Sequence, residues 1–276
     1  MIYIKFFITL IFIIFISKQI DLNNLNIPKI NYSFLLVSFI FFFIFHIFRV
    51  YRWKKIAFNF NSKIKENFIV IYFIGFAMGT ITPGRLGDFY KVSFLTRNKW
   101  KIVLYEKICD LKIVGIYLIA YLFYYLSLLN INYVIFLYFF LLILNFFFEK
   151  KFFSKQSFFV WSNFSNLLIT LFSYISYIIA TIFIFKSLNI GVLENENLLI
   201  FISAIILSII AALIPLSIAG IGFRDYVFFF LVENIISFEE SILITFFILF
   251  LSNIIFSIIG MLFFIYKPRK NTYKKI

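Results

Sequence analysis

The chain of 276 residues has a single cysteine, Cys109, and a single histidine, His46. One cysteine excludes an intramolecular disulfide, and one histidine excludes a histidine-rich metal cluster, so both are expected to be packing residues. Proline and glycine number only 4 and 9, so few positions can break a helix and those few stand out. Charge is sparse and lopsided: 14% of residues are charged, with 12 acidic against 26 basic and a net charge of +14. Enzymatic patterns are missing as well. There is no Gly-x-Ser-x-Gly elbow, no His-Glu-x-x-His, no phosphate-binding loop and no Asp-x-Asp metal pair. No loop is long enough to hide a soluble catalytic domain. The expectation is a non-enzyme with no cofactor and no metal.

Apolar residues fill the space. Hydrophobic residues make up 63% of the chain and mean hydropathy is +1.03, outside the range of soluble domains. An all-α polytopic membrane protein is implied. The 45 phenylalanines read as lipid-facing filler before any aromatic site. The positive charge sits in short loops, where it sets topology and meets anionic lipid rather than nucleic acid. Residues 1–17 contain Lys5 and are followed by no small-x-small cleavage pattern before Lys18, which reads as a retained first span.

Eight apolar segments run at about 3–17, 32–48, 68–82, 113–129, 133–148, 160–185, 198–214 and 242–266. Segment 68–82 is short for a crossing and basic on both sides. The conflict disappears with about six transmembrane helices plus two oppositely directed re-entrant hairpins. Residues 68–95 would enter from the cytoplasm and turn at Pro83 and Gly84; residues 198–233 would dip from the opposite face and turn between Pro215 and Gly222. Loops 49–67, 83–112 and 149–157 then lie inside with Lys5 and the basic tail 267–276. Lys18, Lys29 and Lys186 are left outside, and Arg224 in the membrane. The expectation is one membrane domain over 1–276, in the cytoplasmic (inner) membrane, with both termini cytoplasmic.

The two breaks carry the unexpected charge. One reads Thr82-Pro83-Gly84-Arg85-Leu86-Gly87-Asp88; the other runs from Pro215 through Gly220, Ile221, Gly222, Phe223 and Arg224 to Asp225. An ionisable side chain at bilayer depth costs roughly 2.5–3.5 kcal/mol on insertion scales. Pro83, Gly84 and Gly87 permit a turn and a fresh helix start, whose free N–H groups beside Arg85 would cradle an anion. Gly220, Gly222 and Arg224 can do the same from the other side. Asp88 and Asp225 would balance the arginines, bind a cationic head group or carry a proton; alternatively each Arg-Asp pair neutralises itself and locks its turn. Gly87-Asp88-Phe89-Tyr90 and Arg224-Asp225-Tyr226-Val227 also resemble one another loosely, and paired interrupted segments point to a midplane site in transporters.

Arg49, Arg52 and Trp53 close the second segment, either as a cytoplasmic anchor with an interfacial tryptophan or as a docking patch for anionic lipid. Glu106 and Asp110 stand four residues apart on any helix and repel unless Lys107 or an arginine from elsewhere sits between them.

The phrases Phe48-Arg49-x-x-Arg52-Trp53, Thr82 to Asp88, Glu106-Lys107-x-x-Asp110 and Pro215 to Asp225 occur in an order that resembles the lysylphosphatidylglycerol synthase transmembrane-region family, also described as flippase-like membrane proteins. The resemblance covers nearly the whole chain. It implies movement of a phospholipid head group, anionic, aminoacylated or glycosylated, with Arg49, Arg52, Arg85, Asp88, Lys91, Asp110, Arg224 and Asp225 as the substrate-binding set. Synthesis in the family belongs to a separate soluble domain, so this chain resembles the stand-alone half. A lipid-modifying enzyme as partner, and a homo-oligomer, stay open. Family members often have Arg where this chain has Lys91 and Lys107, and Glu where it has Asp88 and Asp225. Lysine lacks the planar fork that grips phosphate through two bonds.

Overall fold

The computed structural model describes residues 30–64, 66–125, 140, 157–189, 195–213 and 221–266. The expected span at 3–17, the segment 133–148 apart from residue 140, the turn residues Pro215 and Gly220, and the tail 267–276 lie outside the described residues.

Among the described residues the named elements are all helices. Helix α1 spans Tyr32–Asn59 and starts on Asn31, whose side chain accepts from Ser33 N at 3.1 Å. No Gly or Pro interrupts it, so it continues past residue 48 and carries Arg49, Arg52 and Trp53 as helix-interior residues. Helix α2, Phe68–Ile81, is capped by Asn67 and stops at Thr82, which is extended because Pro83 follows. A 3-10 helix of 12 residues, Pro83–Phe94, comes next. Helices α3 (Lys99–Tyr125), α4 (Ser157–Ser187), α5 (Asn195–Leu213) and α6 (Phe223–Val232) follow. Helix α7, Phe238–Leu249, begins in a Ser237/Glu240 capping box. It passes through a π-helical turn, Phe250–Ile254, into α8, Ile255–Tyr266.

Among the described residues three helices are long and apolar enough to cross a membrane: Tyr32–Asn59, Phe164–Ser187 and Phe238–Tyr266. The apolar helices Phe68–Ile81 and Ile200–Ala212 are shorter, and they lie in the two segments expected to form hairpins.

Helices α1 and α4 pack along their lengths. Phe42 and Phe45 both set their rings edge-on to Tyr177 at 5.3 Å, the geometry that ring quadrupoles favour. Phe201 of α5, Phe228 of α6 and Phe256 of α8 complete the same buried core.

Residues 68–94 double back on themselves. A Cβ on Gly75 would collide with the Lys91 side chain at 2.4 Å, and one on Gly79 with Asp88 Oδ1 at 2.3 Å. The two glycines are therefore slots through which Lys91 and Asp88 leave the 3-10 helix. Gly87 lies so close to α2 that a Cβ would fall 2.0 Å from the Met78 carbonyl oxygen. Thr82 stitches the bend: its Oγ1 donates to Met78 O at 2.9 Å and accepts from Gly87 N at 2.5 Å. The two ends of this hairpin are tied together as well. Thr96 N donates to Lys63 O at 3.2 Å, Arg97 N to Ser62 Oγ at 3.2 Å, and Asn98 Nδ2 to Phe60 O at 3.0 Å. Helices α5 and α6 likewise pack against each other.

Candidate functional site

Arg49 and Arg52 are not surface anchors. They lie one turn apart on α1 and both reach Asp110 on α3, Arg49 through one bond of 3.1 Å and Arg52 through bonds of 2.7 and 3.3 Å. Arg52 also donates to Thr170 Oγ1 at 2.8 Å and approaches Glu106 at 3.6 Å. Its side chain is fully buried. An arginine from elsewhere thus separates the Glu106 and Asp110 charges, and Lys107 does not: Lys107 turns to Asp88. Lys91 pairs with Glu106 at 2.8 Å and sets its ammonium 5.4 Å from the centroid of the Tyr72 ring. An ion pair this deep is held by mutual attraction in a low dielectric, and removing one member strands the other.

His46 continues the polar interior. Its Nε2 lies 2.9 Å from the Ser252 carbonyl oxygen, so that nitrogen is the protonated one, and Nδ1 accepts from the Tyr72 hydroxyl at 3.2 Å. Ser252 belongs to the π turn, and such turns recur at functional sites.

Beside this network lies a cavity of about 70 Å³, with space for about five waters. Three arginines from three elements face it: Arg49 from α1, Arg85 from the 3-10 helix and Arg224 from α6. Tyr174 and Tyr177 of α4 add phenol groups, and the π turn contributes Asn253. Arg224 is held at Asp225 through bonds of 3.0 and 2.6 Å and donates to Thr245 O at 3.2 Å. Asp225 also accepts from Gly222 N at 3.0 Å, where Gly222 has φ 87, a backbone that glycine adopts without strain. Here the Arg-Asp pair does lock its turn.

The first break behaves differently. Arg85 and Asp88 do not pair, because Asp88 passes through the Gly79 slot toward Lys107. Arg85 adopts φ 56, unusual for a residue with a Cβ, and sets its guanidinium 5.0 Å from the Phe76 ring centroid. The expected cradle of free N–H groups is not found at the described positions, since Arg85 N and Gly87 N both bond to Thr82. Arg85 nonetheless lines the cavity.

Of the residues singled out by sequence, Arg49, Arg85 and Arg224 meet at the cavity. Arg52, Lys91 and Asp110 join the ion network behind it, Asp88 binds Lys107, and Asp225 caps α6. Glu106 meets an arginine as its charge beside Asp110 required, while His46, Tyr174 and Tyr177 were missed as partners. One signal was available: Thr170, Ser173, Tyr174, Tyr177 and Thr181 form a polar stripe at helical spacing in an otherwise apolar segment. Among the described residues no group of three or more His, Cys, Asp or Glu side chains could hold a metal ion.

An apolar helical chain that, among the described residues, buries four cations and three carboxylates beside a cavity lined by three arginines is a membrane protein that holds charge inside. It matches the family described as Lysylphosphatidylglycerol synthase TM region over residues 2–260, and the chain belongs to that family. No curated protein and no solved structure matches it.

Proposed function

We propose that the protein is a lipid translocase of the cytoplasmic membrane that passes a phospholipid head group through the arginine-lined cavity without covalent chemistry. The observation that carries this reading is the convergence of Arg49, Arg85 and Arg224 on one cavity in a chain this apolar. Guanidinium groups present several N–H donors in a fixed fork that suits phosphate, and family membership fits a lipid-related membrane role. About six spans plus two re-entrant hairpins, with both termini cytoplasmic, go with this reading. The tied ends of the 68–94 hairpin support it, because they bring its entry and exit to one face of the molecule.

The test is head-group movement in proteoliposomes. Arg85→Ala and Arg224→Ala are each expected to abolish movement while the protein stays monodisperse. Unaltered movement by well-folded variants of both would rule the reading out.

A second reading, an accessory subunit that positions a lipid-modifying enzyme, draws on a different surface. Lys63, Arg97, Lys99, Trp100 and Lys101 are exposed around the tied hairpin ends and offer a basic docking face. A soluble enzyme that co-purifies with the protein, and is lost when those charges are reversed, would favour it.

A further inference from the structure

We infer that the ligand of the cavity is a phosphate-bearing anion without an ammonium group, gripped by Arg85 and Arg49 while Arg224 stays bound to its own carboxylate. The inference rests on the head-group reading above and narrows it to a charge class.

The argument is an account of donors and acceptors. Arginine has five N–H donors and no acceptor. Among the described residues the Arg85 side chain makes no hydrogen bond or ion pair, only its ring contact with Phe76. Arg49 uses one terminal nitrogen, which it shares between Asp110 at 3.1 Å and Tyr174 Oη at 3.4 Å. Its Nε is buried without a partner, and the whole residue is only 8% exposed. A buried donor left unmade is costly and invites an acceptor. Arg224 uses Nε and a terminal nitrogen on Asp225 and Thr245.

The carboxylates are spoken for. Asp110 holds Arg49 and Arg52, Glu106 holds Lys91, Asp88 holds Lys107, and Asp225 holds Arg224. An ammonium entering the cavity would face three guanidiniums and no free carboxylate in this set. Arg49 is also the exchangeable member: if it turns to a ligand, Asp110 keeps its two bonds to Arg52.

The experiment is binding to the purified full-length chain in detergent, with four probes: dihexanoyl phosphatidylglycerol, its lysyl ester, dihexanoyl phosphatidylcholine and inorganic phosphate. Phosphatidylglycerol is expected to bind about tenfold or more tighter than the lysyl ester and phosphatidylcholine, because the cationic group of each meets guanidiniums and no free carboxylate. Arg85→Gln and Arg49→Gln should each remove that preference. Arg85→Lys, which keeps the charge and loses the fork, should retain the preference at weaker affinity, and covers the case in which Arg85→Gln fails to fold. Equal or tighter binding of the lysyl ester overturns the inference, and movement of that ester in proteoliposomes would leave the translocase reading standing. Binding of inorganic phosphate alone upholds the phosphate site and overturns the lipid reading. Absence of binding by every probe overturns the inference.

Discussion

At the residue scale the arginines divide by what they touch. Arg52 is wholly enclosed and bonded to Asp110 and Thr170, so it is a structural cation. The Arg85 side chain has no hydrogen-bond partner among the described residues, and the residue sits at φ 56, so it costs the fold something while lining the cavity. A left-handed backbone costs a non-glycine residue about 1–2 kcal/mol. Two substitutions should therefore move stability in opposite directions. Arg52→Ala leaves Asp110 with Arg49 alone and is expected to lose about 3–5 kcal/mol. Arg85→Gly relieves the backbone and should raise the melting temperature slightly, while losing head-group movement. Melting of the two variants beside the parent chain in one detergent decides the matter. A loss of stability in Arg85→Gly comparable to that in Arg52→Ala would make Arg85 a structural residue.

At the element scale the 68–94 hairpin depends on three glycines that face the opposite strand of the bend. Gly87→Ala would set a methyl 2.0 Å from the Met78 carbonyl oxygen, and overpacking of this kind costs about 1–3 kcal/mol. Gly115 in α3 has nothing within 4 Å of the added methyl, so Gly115→Ala should be neutral or gain up to about 1 kcal/mol of helix propensity. Unfolding of the pair by denaturant titration separates them; a harmless Gly87→Ala would mean that the close approach is not kept. The bend itself was legible in the sequence, because Pro83, Gly84 and Gly87 cluster where helices lack such residues and the apolar segment before them is short for a crossing. The partners were not legible. Nothing in the order Asp88-Phe89-Tyr90-Lys91 says that Asp88 leaves Arg85 for Lys107, because that choice is made by the Gly75 and Gly79 slots on the facing helix. The end of the second apolar segment was misplaced for a related reason. Arg49 and Arg52 look like a helix stop at a membrane surface, and only the carboxylates of α3, far away in sequence, allow α1 to carry them inward.

At the scale of the whole molecule the question is on which side each end of the hairpin emerges. The bonds joining residues 60–63 to 96–98 require entry and exit on one face, whatever depth the bend reaches. The proposed topology puts that face in the cytoplasm, because Lys63, Arg97, Lys99 and Lys101 gather there. Asn234, exposed after α6, belongs to the opposite side if α5 and α6 dip from outside. Cys109 is buried and is replaced by Ala first, so that single cysteines at Lys63, Lys99 and Asn234 report alone. In intact cells a membrane-impermeant maleimide should label the Asn234→Cys variant and leave the other two unlabelled until the membrane is opened. If Lys63→Cys and Lys99→Cys react from opposite sides, residues 68–94 cross the bilayer and the paired-hairpin architecture falls. Should all three react from one side, the first hairpin survives and the second does not dip from outside, which would leave Arg224 to reach the cavity along a full crossing.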